Sequence, residues 1–65
     1  MRKGVLTKEI QTITSDLTVP AGAKIYVVEP PLRTQDGHVL YDAWTTIKGR
    51  SCLICVSDSS FEFEE

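Results

Sequence analysis

The chain has 65 residues, of which 42% are hydrophobic and 25% charged, and its formal net charge is −2. That length predicts one domain, residues 1–65, with a small core, since folding at this size buries only about 60% of the surface that the unfolded chain exposes. The composition argues against disorder, the apolar runs fall far short of the roughly 20 residues a membrane span needs, and the negative charge argues against a general nucleic-acid coat, whose affinity comes from Lys and Arg on phosphates.

In chain order, MRKGVLTK opens with the basic residues of a secretion signal, but Thr7, Lys8 and Glu9 stand where its apolar stretch would follow. Residues 1–8 are therefore expected to be a flexible or edge-pairing N-terminal segment. Two cysteines are too few for the disulfide framework of a small secreted domain, so a cytosolic setting with reduced thiols is expected. Arg2, Lys3 and Lys8 at one end face a run of acids at the other, Asp58, Glu62, Glu64 and Glu65. They would pair weakly if the two ends were neighbours in space.

Five runs rich in Val, Ile, Thr, Tyr and aromatics, bounded by Gly, Pro, Asp or Ser, predict strands. They are Glu9 to Thr14, Ala23 to Glu29, His38 to Ile47, Arg50 to Ser57 and Phe61 to Glu64. Val19-Pro20-Ala21-Gly22 predicts a tight turn, because proline presets the second turn position and glycine suits the fourth. PPLRTQDG predicts a long loop closed by the Asp36-Gly37 turn. Lys48-Gly49 predicts a two-residue hairpin, and Asp58-Ser59-Ser60 a single helical turn capped by side chains.

This order of elements resembles the small SH3-like β-barrel, most clearly in "TVPAGAKIYVVE", "WTTIKGRSCLICV" and "SDSSFEF". The resemblance is architectural and implies an all-β, five-stranded barrel with its distal hairpin at Lys48-Gly49. The acidic excursion and aromatic groove by which signalling SH3 domains take proline-rich peptides are not found, so that function is not carried over.

A regular hairpin at Lys48-Gly49 places Ile47 opposite Arg50, Thr45 opposite Cys52, Trp44 opposite Leu53, Ala43 opposite Ile54, Asp42 opposite Cys55 and Tyr41 opposite Val56. Cys52 and Cys55 then point to opposite faces about 10 Å apart by strand rise, too far for a disulfide and unsuited to a shared metal or redox site. Burying Asp42 without a partner is costly, so its face is the outer one. The expected core is Tyr41, Ala43, Cys52, Ile54 and Val56 with Ile10, Ile13, Ile25, Val27 and Phe61 or Phe63. Trp44, Leu53 and Leu40 are left outside, either as a binding surface or beneath the N-terminal segment or the long loop.

Chemistry has little footing here. His38 and Asp36 flank a turn and read as a solvated loop pair, and there is no phosphate-cradling glycine loop, so neither an enzyme nor a cofactor is expected. The leading expectation is a non-enzymatic module that binds another protein through Trp44, Leu53 and Leu40 or through Pro31, Leu32 and Arg33. Its small size suits an accessory factor of a phage or mobile element acting on a larger host complex. The alternative is single-stranded nucleic acid on Tyr26, Trp44, Lys24, Arg33, Lys48 and Arg50. Self-association through exposed strand edges is a third reading.

Overall fold

The computed structural model describes residues 1–12 and 17–64. Every regular element in them is a β-strand: β1 (Arg2–Leu6), β2 (Ile10–Gln11), β3 (Thr18–Val19), β4 (Lys24–Val27), β5 (Arg33–Gln35), β6 (His38–Ile47), β7 (Arg50–Ser57) and β8 (Phe61–Phe63). None of these residues forms a helix long and apolar enough to cross a membrane.

The ten residues of β6 are the pivot of the sheet. Along one edge β6 pairs with the whole of β7, while along the other it pairs first with β5 and then with β4. β1 lies between β4 and β8, antiparallel to both. β2 and β3 form a separate two-stranded ribbon. The all-β class is as expected, but a closed five-stranded barrel is not what these pairings describe. They make an open six-stranded sheet, and none joins β7 to β8 among the described residues. Length accounts for this: among the described residues the strand that approaches β7 besides β6 is the two-residue β2, and β8 is three residues long.

Both ends of β6 are set by the same backbone geometry. Lys48 and Gly49 have φ of 51° and 79°, and Asp36 and Gly37 have 53° and 79°. Two successive positive φ angles are what a type I′ hairpin turn needs, and its twist matches that of the flanking strands. The first turn yields the predicted register, with Trp44 opposite Leu53 and Asp42 opposite Cys55. The second pairs Gln35 with His38 and turns part of the expected long loop into β5.

Other expectations need correction. Residues 2–6 are not peripheral: β1 is an interior strand that buries Gly4 and Leu6. The turn near Pro20 lies one residue later than predicted. The Ala23 N–H donates to the Pro20 carbonyl, and Gly22, at φ 90°, fills the position where only a positive φ fits. Residues 57–60 form a β-turn in place of a helical one, closed by the Ser60 N–H on the Ser57 carbonyl and braced by the Ser59 N–H on Ser57 Oγ. The pairing of the chain ends also differs in detail. Arg2 lies 3.8 Å from Glu29 and above the Phe63 ring, and Lys24 lies 3.8 Å from Glu64.

One apolar cluster holds the sheet together: Leu6, Val19, Ile25, Val27, Ala43, Ile54, Val56 and Phe61. Ile10, Tyr41 and Phe63 pack against it half-buried, Cys52 is also only half-buried, and Ile13 lies outside the described residues. Tyr41, Phe61 and Phe63 meet edge to face, with centroids 5.0–6.0 Å apart, the geometry that ring quadrupoles favour. Buried Thr45 satisfies its hydroxyl by donating to the Lys24 carbonyl at 3.1 Å.

Gly4 permits a close approach between β1 and β8. A Cβ there would stand 3.1 Å from the Glu62 carbonyl oxygen and 3.2 Å from the Phe61 ring. Gly4→Val should therefore destabilise the chain by about 1–3 kcal/mol, the usual cost of overpacking, read as a lower urea midpoint. Lys48 is a different case, since a lysine side chain is disfavoured at positive φ and asparagine is tolerated there. Lys48→Asn should raise stability by up to about 1 kcal/mol in the same urea titration.

Candidate interaction face

Alternation along the strands separates two faces. One packs inward on the apolar cluster. The other carries Leu53 from β7, Trp44 from β6 and Tyr26 from β4, each directly opposite the next across the strands, and then Lys3 from β1. Tyr26 is 44% exposed, Trp44 40% and Leu53 38%, in a chain whose remaining strand apolar groups are largely covered. Residues 2–6 form β1 within the sheet and the Arg33–Gln35 part of the long loop pairs with the edge of β6, so of the N-terminal segment Met1 alone is seen beside this row.

The ring contacts of the described residues fall among Tyr41, Phe61 and Phe63, and Trp44 and Tyr26 take no part in them. A recess of about 390 Å³ opens beside these two rings, lined also by Met1, Thr45, Thr46 and Ser51. Thr46 and Ser51 are cross-strand partners, so the recess has hydroxyls on the side nearer the Lys48-Gly49 turn. Lys24 shares the Tyr26 face of β4 and approaches the same side. Its carbonyl takes the Thr45 hydroxyl, and its ammonium is mostly exposed. Asp42 lies on the opposite side of Trp44, and Glu62 is exposed on the Lys3 face of the β1–β8 pair.

The sequence-based candidates are thus divided. Trp44, Leu53, Tyr26 and Lys24 share one face. Leu40 is on that face but half-buried at the far end of β6, opposite Arg33 and Ser57. Arg33 opens β5, and 56%-exposed Leu32 precedes it with its N–H on the Leu40 carbonyl. Pro31, Leu32 and Arg33 therefore stand about 13 Å along β6 from Trp44, by strand rise, and do not extend its row. Lys48 is at the hairpin tip, while Arg50 falls on the inward-facing side of β7, away from Trp44. The sequence offers Tyr26 only as a nucleic-acid candidate; the pairing of β4 with β6 makes it the neighbour of Trp44.

The cysteines are free, half-buried and on opposite faces of β7. His38 has a different carboxylate partner from the expected one. Its Nδ1 lies 3.0 Å from Asp58 Oδ1, tying the β5–β6 turn to the β7–β8 turn, and Asp36 takes no part in that contact. The hydrogen bond from His38 is the largest influence holding the Asp58 carboxyl below its ordinary value of 3.8, with a second from the Val39 backbone. Compared with protein-family models, curated proteins and solved structures, the chain matches none.

A carboxyl whose folded pKa is depressed stabilises the fold above its unfolded pKa, and that contribution is lost as pH falls through the folded value. Asp58→Asn should therefore lower the melting temperature relative to the parent at pH 5–6, and the difference should close as the pH is taken below 3.8. Melting curves across that range check the sign.

Proposed function

We propose that this chain is a non-enzymatic, cytosolic protein-interaction module that docks a partner on the sheet face carrying Leu53, Trp44 and Tyr26. The observation that carries the reading is the contiguity of three large, partly exposed side chains on three adjacent strands beside a recess. Interface hot spots favour large aromatics that a partner can enclose, and such a row on a rigid sheet needs little ordering before contact. The neighbour order β8–β1–β4–β6–β7, with the β2–β3 ribbon inserted between β1 and β4, supports an SH3-like strand plan. That plan supplies a scaffold and no activity.

Single-stranded nucleic acid is the second reading, favoured by Tyr26 and Trp44 lying side by side with Lys3 and Lys24 nearby, as in stacking platforms. Asp42, Glu62 and Glu64 weigh against it, since a polyanion crossing this face would pass carboxylates on both sides of the rings. Arg50 and Arg33, which would have added charge, point or lie elsewhere.

Immobilised chain should retain a reproducible partner, identified by mass spectrometry, that Trp44→Ala and Tyr26→Ala lose and Leu32→Ala keeps. Leu32→Ala should melt near the parent temperature, and Trp44→Ala and Tyr26→Ala somewhat below it because they lose cross-strand contacts, so capture is compared at a temperature where each variant is folded by circular dichroism. Retention by the Trp44 and Tyr26 variants would reject the face. A gel shift with oligothymidylate at about 50 mM salt, where a phosphate-driven interaction would be strong, should show no complex.

A further inference from the structure

Resting on that docking reading, we infer that the recess beside Trp44 and Tyr26 takes an acidic protein segment: an apolar side chain in the recess, with a neighbouring carboxylate held at the hairpin-tip side. The charges around the recess are unevenly placed. On the tip side stand the hydroxyls of Thr46 and Ser51, Lys24, which the β4–β6 register places level with Thr46, and Lys48 two residues beyond Thr46. Met1 also lines the recess and Lys3 stands opposite Tyr26, while Asp42, the carboxylate of β6, lies on the other side of Trp44. An anchor flanked on one side by carboxylates meets lysines and hydroxyl donors there and avoids Asp42. A basic segment in the same place would bring its charge against Lys24 and Lys48.

The chain already provides a small-scale version of this contact. Glu64, just after β8, holds its carboxylate 3.8 Å from the Lys24 ammonium, and both groups are partly open to water. An incoming carboxylate would compete with Glu64 for Lys24. Nucleic acid shares the anionic chemistry but fits the surroundings less well. A phosphate chain needs a continuous cationic track, whereas the lysines here are bounded by Asp42, Glu62 and Glu64. A short protein segment needs only one favourable contact at one place.

Trp44 is the chain's single tryptophan and stands at the recess, so its emission reports occupancy directly. The probe is the acetylated, amidated pentapeptide Gly-Gly-Phe-Glu-Glu, which carries acids on one side of the anchor only. Its comparators carry Lys for Glu, or Gly for Phe, and a fourth sample is oligothymidylate. The acidic phenylalanine peptide should shift the Trp44 emission saturably at low salt and lose affinity as salt rises, while the three comparators do not saturate. Lys24→Gln and Lys48→Asn should each weaken it, by up to about fivefold for a partly exposed charge contact. Glu64→Gln should tighten it, whereas Glu29→Gln, an equal change of net charge beside Arg2, should leave it unchanged.

Failure of the acidic peptide to saturate, equal binding of the lysine peptide, or tighter binding of the oligonucleotide would overturn the inference. So would indifference to Lys24→Gln together with Glu64→Gln. If Trp44→Ala still releases the captured partner in any of those cases, the docking face stands and only the acidic chemistry falls.

Discussion

Most of the geometry follows from two adjacent positive φ angles at Lys48 and Gly49. A two-residue turn of that kind has one register, and because strand side chains alternate with period two, it decides for every residue of β6 and β7 which way it points. A slip by one residue would turn Trp44 and Leu53 into the core and bring Ala43 and Ile54 out to water. The second turn of the same geometry, at Asp36-Gly37, fixes the other end of β6. With both ends specified, β6 serves as the template on which β4 and β5 pair.

The parts legible in the sequence were those dictated by such local chemistry. β6 and β7 appear with the bounds expected, and the separation of Cys52 from Cys55 and of Trp44 from Ala43 follows from the turn alone. The parts that were not legible depend on long-range pairing. β1 contains a glycine and two cations and has no alternating pattern of large residues. Its inward residues are Gly4 and Leu6, and Gly4 makes sense only once the Phe61 ring is seen packed over it. Val19 is fully buried, yet in sequence it looks like the start of a turn, because its cover comes from the rest of the cluster. β5 is exposed throughout and carries no hydrophobic signal; only the Asp36-Gly37 dipeptide pointed to it.

The candidate face was half visible in the same way. Trp44 opposite Leu53 is a hairpin property and could be counted out from the turn. Tyr26 beside Trp44 depends on β4 pairing with β6 across a connection of ten residues, Val28 to Gly37, whose length sets no register. The approach of Glu64 to Lys24 depends on β1 bringing β4 and β8 together. The charged ends of the chain are neighbours, but Arg2 is engaged with Glu29 and the Phe63 ring, which leaves Lys3, opposite Tyr26, and Lys24, two residues before it, as the cations beside the aromatic row.

The placement of the two thiols on β7 has a topological consequence. Each is half-buried, they face opposite ways, and a strand cannot fold back to join them. Any disulfide made on exposure to oxidant must therefore link separate molecules. A link through Cys55 would seat the second molecule on the side that carries Trp44 and Leu53, and one through Cys52 on the side that carries the core.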